Sequence, residues 1–441
     1  MTKAGINPAP AVPDSSTVVR VDRQDGTRWA PHGFAPQNGS RYKVCTVFGT
    51  RPEMIKLAPV IRQLDAAGDR LQCVTVASGQ HLDLVDPFIR FFGVKIDHHL
   101  QVMEPGQTPN QVCARVLAAL DPILAAESPD LIVIQGDTTT ALAGALAGFH
   151  RHIPVAHVEA GLRSGDCLSP FPEEMNRRLI SRLATYHFAA TPRNRDILRS
   201  EGVAPETIFV TGNPVVDSLQ AILPQAASRA ALQTLIQSTQ NMKRLVMTLH
   251  RRENFGERFA GNLQVLREFV DRHPDVILIF PVHPNPSVHG PAHALLSDHP
   301  RIRLLEPLDY LDFIGLLSKA WLIVSDSGGI QEEAPTLGKP LLVLRENTER
   351  PEALESGIAR LVGAEPEGLR RMLEDVYRNS AWIEQAARIE NPFGRGDSGQ
   401  RIVQIIVALL SRNQESGIGN QELAIRSQES GIRNLVSGAN S

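Results

Sequence analysis

Polar residues gather just after short apolar runs in this chain, and their types suit acid/base work and anion binding. The run Lys43-Val44-Cys45-Thr46-Val47-Phe48 gives way to Gly49-Thr50-Arg51-Pro52-Glu53, with Lys56 one turn on. Pro52 suits a first helical turn, so Arg51 and Lys56 are expected near a helix N-terminus, where an anion is already favoured. The plain structural alternative has Arg51 paired with Glu53 or another surface acid. The run Leu131-Ile132-Val133-Ile134 ends in Gln135-Gly136-Asp137-Thr138-Thr139-Thr140, where Asp137 reads either as a helix cap or as a carboxylate facing a ligand. Val155-Ala156-His157-Val158 leads into Glu159-Ala160-Gly161-Leu162-Arg163, and Pro172-Glu173-Glu174 opens a helix with acids in its first turn. Such acids complement a helix dipole. Yet Asp137, Glu159 and Glu173, all at strand ends or helix starts of one half, are expected to converge on a cleft. Neighbouring charge and burial then drive carboxyl pKa values apart, as general acid/base chemistry requires.

The later half supplies the complementary charge. Leu245-Val246-Met247-Thr248 runs into His250-Arg251-Arg252-Glu253-Asn254, either a solvated charge run or a cationic cluster at an interdomain rim. In Ser325-Asp326-Ser327-Gly328-Gly329-Ile330-Gln331-Glu332-Glu333 an apolar strand turns through two glycines into a helix. Ser327, Gly328 and Gly329 there form a phosphate cradle, because glycine lets backbone approach a ligand and the first helical N–H groups point at it. Glu333, one turn in, suits ribose hydroxyls; Pro335 is expected to end or kink the helix, and Arg350 adds a further cation.

Several other chemistries lack their motifs. The first strand is not followed by G-x-G-x-x-G, and Gly338-Lys339-Pro340 lacks P-loop spacing. Ser327 has Ser325 where a hydrolase elbow needs glycine. No His/Cys cluster suggests zinc, and no metal or cofactor is expected. Cys45, Cys73, Cys113 and Cys167 are too scattered for a disulfide scaffold, which points to a reducing compartment.

The elements that must position these residues are also visible. The apolar runs lack polar alternation, as strands of parallel sheets covered on both faces do. Others are Val276-Ile277-Leu278-Ile279-Phe280, Leu322-Ile323-Val324 and Leu341-Leu342-Val343-Leu344. Stretches such as Met54 to Leu64, Pro109 to Glu127 and Ala260 to Arg272 carry apolar residues at helical spacing. The alternation predicts an α/β chain with two doubly wound, Rossmann-like domains. With 441 residues, two or three domains are expected. We expect a disordered extension over 1–40, domains over 41–220 and 221–395, a final helix over 396–412 and a disordered tail over 413–441. Within the tail, Gln414-Glu415-Ser416-Gly417-Ile418 returns as Gln428-Glu429-Ser430-Gly431-Ile432, too few copies for a solenoid. A balance of 45 basic against 48 acidic residues argues against nucleic acid, and no apolar run approaches a membrane span. A cytoplasmic location is therefore expected.

Taken in order, Val47-Phe48-Gly49-Thr50-Arg51-Pro52-Glu53, Gly136-Asp137-Thr138-Thr139-Thr140, His157-Val158-Glu159-Ala160-Gly161-Leu162-Arg163, Pro172-Glu173-Glu174, His250-Arg251-Arg252-Glu253-Asn254 and Asp326-Ser327-Gly328-Gly329-Ile330-Gln331-Glu332-Glu333-Ala334-Pro335 resemble the non-hydrolysing UDP-N-acetylglucosamine 2-epimerases. The likeness runs from about residue 43 to about 410. It implies the GT-B arrangement, with a ligand cleft between the domains and a final helix crossing back to the first. It implies interconversion of UDP-GlcNAc and UDP-ManNAc by anti elimination of UDP, a 2-acetamidoglucal intermediate and re-addition, which supplies ManNAc-type precursors for surface polysaccharide. Asp137, Glu159, Glu173 and His250 match the catalytic positions. Arg51, Lys56, His250, Ser327, Gly328 and Gly329 match those that hold the UDP; Leu308 and Phe313 match the uracil segment, Glu333 the ribose ligand and Arg350 another substrate contact. Gln80 and His81 fall where many bacterial members bind a second UDP-GlcNAc as activator, although Asp83 stands where a second Gln is frequent. Gln135 and Pro214 also depart from the usual His and Thr. The family's habit implies a homodimer. A GT-B UDP-sugar glycosyltransferase, a hydrolysing 2-epimerase and a catalytically dead UDP-sugar-binding regulator are the competing readings.

Overall fold

In the computed structural model, residues 41–79, 82–104, 106–226, 229–251 and 254–412 are described. The expected extension at 1–40, the tail at 413–441, and Gln80, His81, Arg252 and Glu253 lie outside them. Strands β1 (Tyr42–Phe48), β2 (Leu71–Ala77), β3 (His98–His99), β4 (Leu131–Gln135), β5 (Val155–Ala160), β6 (Tyr186–Ala189) and β7 (Ile208–Val210) form one sheet, in the order β3-β2-β1-β4-β5-β6-β7. Strands β8 (Lys243–Thr248), β9 (Val276–Pro281), β10 (Ile302–Leu305), β11 (Leu322–Ser325), β12 (Leu341–Val343) and β13 (Ala359–Leu361) form a second, in the order β10-β9-β8-β11-β12-β13. All the paired strands run parallel. Helices cover both faces, so every residue of β4 and β5 is buried, as their unbroken apolar runs anticipate. Each sheet reverses its strand order once, between β1 and β4 and between β8 and β11. In such sheets ligands bind beyond the strand ends at that reversal.

The two lobes share a core. Val215, Val216, Leu219, Ile222 and Ala226, on the helix Val215–Ala226, belong to the same buried cluster as Phe48 and Ile61 of the first lobe and Ile314 and Ile330 of the second. That helix packs on Arg51–Ala66 on one side and on Tyr310–Ser318 and Gly328–Leu337 on the other. The expected boundary at 220–221 falls inside it. The final helix, 398–412, returns to the first lobe. Its first N–H groups, at Ser398 and Gly399, donate to the Asp217 carboxylate at 3.3 and 2.9 Å. A carboxylate at a helix N-terminus satisfies donors that have no partner inside the helix. Ile402, Val403, Ile406 and Leu410, at helical spacing, are buried there.

Pro335 does not end the helix Gly328–Leu337, which runs on to Gly338, whose φ of 62° is one glycine adopts freely. Among the described residues no helix is long and apolar enough to cross a membrane.

Candidate active site

The helix Arg51–Ala66 begins beyond β1 with Thr50 as its cap. Glu53 does not pair with Arg51. Its carboxylate accepts from the backbone N–H groups of Gly49 and Thr50 at 3.0 and 2.7 Å, and from the Thr50 and Thr138 hydroxyls, each at 2.7 Å. This reciprocal capping box satisfies two of the donors at that helix start, Thr50 N–H and Glu53 N–H. A Cβ at Gly49 would meet Ser78 Oγ at 2.3 Å and Thr140 Oγ1 at 2.7 Å, so any larger residue would have to displace both side chains. Arg51 instead reaches across the cleft, its guanidinium 5.9 Å from the centre of the Tyr310 ring. Lys56, further along the same helix, is buried between two acids, Glu159 of its own lobe and Glu332 of the other, the latter at 2.9 Å. Burial alone would lower the Lys56 ammonium; Glu159 and Glu332 outweigh it and raise it.

The carboxylates of the first lobe follow β4 and β5. Thr138, and not Asp137, caps the helix Thr139–His150, accepting from Ala141 N–H at 3.0 Å. Asp137 is thereby released to pair with Arg177, at 2.6 Å from Nη2 and 2.8 Å from Nε. Glu159 sits in a bulge, where the register with β6 shifts between Val158 and Ala160, and its φ is +65°. A positive φ is unfavourable outside glycine and persists only where surroundings enforce it. Here Lys56 and the Asn213 amide, at 2.9 Å, hold the side chain. Burial pushes the Glu159 carboxyl up against the pull of Lys56. Glu173 opens the helix Glu173–Leu183, and its Oε2 is buried without a hydrogen-bond partner. Burial, and less strongly the Asp137 charge, push its carboxyl up as well.

The second lobe presents cations and backbone donors. His250 follows β8; its Nδ1 lies 3.2 Å from Asp326, and its N–H and that of Arg251 also donate to that carboxylate. Burial would raise Asp326, but His250, the Arg251 N–H and the Asn254 amide hold it below the usual range. Ser327 begins the helix Gly328–Leu337 with no side-chain cap, leaving its first N–H groups to other acceptors. A Cβ on Gly328 would lie 2.7 Å from Arg350 Nη1, whereas Gly329 has nothing nearer than 3.9 Å. Arg350 thus rests against the glycine turn. It pairs with Glu332 at 2.6 Å, and Arg350 and Lys56 overcome burial to hold Glu332 at about 2. Glu333 accepts from the Tyr310 hydroxyl at 2.7 Å, and burial raises its carboxyl. Phe313 and Leu308 are half-buried, on and just before the helix Tyr310–Ser318.

Arg51, Lys56, Asp137, Glu159, Glu173, Glu333 and Arg350 are therefore linked by contacts or fields within one cleft, while His250 and Ser327 join them through Asp326 and the glycine turn. Gln80 and His81 cannot be placed, being outside the described residues. The structure adds Arg177, Glu332, Glu349, Asn213 and Tyr310. Arg177 had one local signal, its spacing of three from Glu174, to which it donates at 3.2 Å. Among the described residues no group of three His, Cys, Asp or Glu side chains could hold a metal ion.

Known proteins resemble this chain in sequence and in fold. The sequence model of the UDP-N-acetylglucosamine 2-epimerase family matches residues 62–407. The UDP-N-acetylglucosamine 2-epimerase of Salmonella typhimurium is 44% identical over 374 residues, covering 82% of this chain and 98% of that protein. The crystal structure of the Neisseria meningitidis UDP-GlcNAc 2-epimerase bound to UDP-GlcNAc has a TM-score of 0.78 and 40% identity, covering 83% of this chain and 100% of that one. The Methanocaldococcus jannaschii enzyme in complex with UDP-GlcNAc and UDP has a TM-score of 0.70 and 34% identity, covering 83% and 99%. Fold, cleft and sequence agree: the chain belongs to the UDP-N-acetylglucosamine 2-epimerase family, whose members are isomerases with two Rossmann-like lobes in the GT-B arrangement.

Proposed function

We propose that this chain interconverts UDP-GlcNAc and UDP-ManNAc without net hydrolysis. The observation that carries the reading is the meeting, across one cleft, of first-lobe carboxyls with an uncapped, glycine-lined helix start flanked by cations. The C2 proton has no adjacent carbonyl to acidify it, so direct removal is unfavourable. Loosening the C1–O bond first builds positive charge at the ring and negative charge on the diphosphate. The C2–H electron pair then becomes the C1=C2 bond, the proton passes to a carboxylate, and UDP departs. Addition of a proton to the opposite face of C2 and return of UDP to C1 complete the inversion.

His250, Arg51, Lys56 and the Ser327-Gly328-Gly329 turn are the groups suited to the diphosphate; a preorganised donor of this kind is typically worth about 3–4 kcal/mol of barrier. Only the imidazolium donates from both ring nitrogens, and in that form His250 gives Nδ1–H to Asp326 and Nε2–H to a phosphate oxygen. Glu159 and Glu173, both with carboxyls pushed up by burial, and Asp137 are suited to moving the proton. Glu333 is assigned to the ribose, Phe313 and the backbone near Leu308 to uracil, and Arg350 to the diphosphate. The product would supply ManNAc-type precursors of surface polysaccharide in the cytoplasm. A homodimer is supported by Phe149, Leu168, Phe171, Met175 and Leu179, large apolar side chains that the first lobe leaves exposed.

Incubation with UDP-GlcNAc in heavy water, followed by proton NMR, tests the reading. The expected result is deuterium at C2 of both recovered UDP-sugars without accumulation of free UDP. Active turnover without C2 deuterium, or release of free ManNAc and UDP, would reject it.

A further inference from the structure

The charged groups of the cleft form a single chain of alternating sign. Asp137 pairs with Arg177, and Arg177 Nη2 reaches Glu349 of the second lobe at 3.3 Å. Glu349 pairs with Arg350 at 3.0 Å, Arg350 with Glu332 at 2.6 Å, Glu332 with Lys56 of the first lobe at 2.9 Å, and Lys56 with Glu159. The chain begins and ends on two of the proposed acid/base groups and crosses the cleft twice. Arg177 and Glu349 are 5% and 3% exposed, so a nucleotide sugar reaches this array only when the lobes part. Parting separates Arg177 from Glu349 and Lys56 from Glu332, while the pairs within each lobe survive.

Arg177 is anchored on its own side. Nη1 donates to the fully buried Glu174, and the neighbouring Asn176 amide donates to the Asp137 carbonyl at 2.8 Å. Both Arg177 contacts to the Asp137 side chain fall on Oδ2, and among the described residues no bond is made to Oδ1. Nη2 is the nitrogen shared between Asp137 and Glu349. Without Glu349 that nitrogen belongs to Asp137 alone, and guanidinium geometry favours a two-pronged grip on one carboxylate. We propose that Arg177 and Glu349 are positioning residues: closing the lobes divides the Arg177 guanidinium between two acids and leaves one Asp137 oxygen open to the sugar. Neither residue touches the reacting atoms. The inference rests on the proposed role of Asp137, and it makes the two lobes cooperate in placing one carboxylate.

Glu349→Gln keeps the shape and removes the charge. In the full chain, C2 exchange in heavy water is expected to fall about tenfold or more in kcat, while KM changes by less than about threefold, because misplacement of a reacting group is read mainly in turnover. Glu349→Asp restores the charge and is expected to recover part of the loss. An unchanged kcat for a folded Glu349→Gln, or equal losses in kcat for the Gln and Asp variants, overturns the proposal. Where Glu349→Gln does not fold, Arg177→Lys serves, since a point-like ammonium cannot be divided in the same way; wild-type kcat in that variant overturns it. Small-angle scattering with and without UDP separates this proposal from the functional reading. If the wild type shows no C2 exchange, that reading fails, and the latch is judged by compaction alone. Weaker UDP-induced compaction of Glu349→Gln supports it, and compaction equal to wild type rejects it.

Discussion

The two lobes repeat one strand order and put opposite chemistry at the same place in it. In the first, the helices that follow β1 and β4 are capped by their own side chains, Thr50 with Glu53 and Thr138. In the second, the helix after β11 has no side-chain cap, and the N–H groups after β8 are taken by Asp326. A side-chain cap takes up part of the donor set at a helix start, whereas an uncapped one beside His250 and Arg350 keeps its donors for an anion. The capped lobe instead releases its strand-end acids toward the cleft. On the proposed reading, a shared topology becomes a division of labour: proton transfer falls to the first lobe and diphosphate binding mainly to the second, with Arg51 and Lys56 reaching over from the first.

The comparison breaks most visibly at Glu159. Glu159→Gln is expected to lower turnover by about 100-fold or more, with UDP affinity measured by calorimetry nearly unchanged. Loss of UDP binding with intact turnover of the bound fraction would reverse the assignment of the lobes. Ser327→Asp gives the second lobe the cap that the first already has. The added carboxylate should raise the dissociation constant for UDP by about tenfold to 100-fold without lowering the melting temperature. Unchanged affinity would show that this helix start does not meet the diphosphate.

A smaller effect separates the lobes by acid sensitivity. The first sheet buries His157 and His187, which burial lowers to about 3 and about 4. His157 Nε2 donates to the Gly136 carbonyl at 2.7 Å, and Nδ1 has no partner. The folded state keeps both rings neutral, whereas the unfolded chain takes up protons below its ordinary histidine pKa. Stability contributed by each is therefore intact above about 6.5 and falls with acidification, by about 1.4 kcal/mol per pH unit, until the folded-state value is reached. Denaturant titrations of His157→Gln, which retains a donor for Gly136, should show a correspondingly shallower acid slope. An identical slope would mean that His157 is not kept neutral.

Much of this was readable in the residues, for definable reasons. Strands such as β4 and β5 are buried on both faces, so their apolar runs announce themselves, and the polar residues that follow them are the ones the sheet delivers to the cleft. Asp137, Glu159 and the Ser327 turn are found by that rule. The Thr50 and Glu53 spacing is a capping signature, yet Glu53 also invites pairing with Arg51, and only the folded turn decides. Contacts between lobes leave no local trace: Arg177 and Glu349 meet across 172 positions of sequence. Of the adjacent acids Glu332 and Glu333, the sequence favours Glu333 for a ligand, while Glu332 carries the ion pairs to Arg350 and Lys56. The helix Val215–Ala226 was hidden differently, since a segment packed on two lobes lies where a linker is expected.

The most direct test of the division between lobes follows the bond that the second lobe is held to release. UDP-GlcNAc carrying heavy oxygen in the bridge between C1 and the β-phosphorus is incubated with the protein and examined by phosphorus NMR. If the C1–O bond breaks while UDP stays gripped at the Ser327 turn, the label spreads into non-bridging β-phosphoryl positions of the recovered UDP-sugars. Epimerised product with all of its label still bridging would contradict the account.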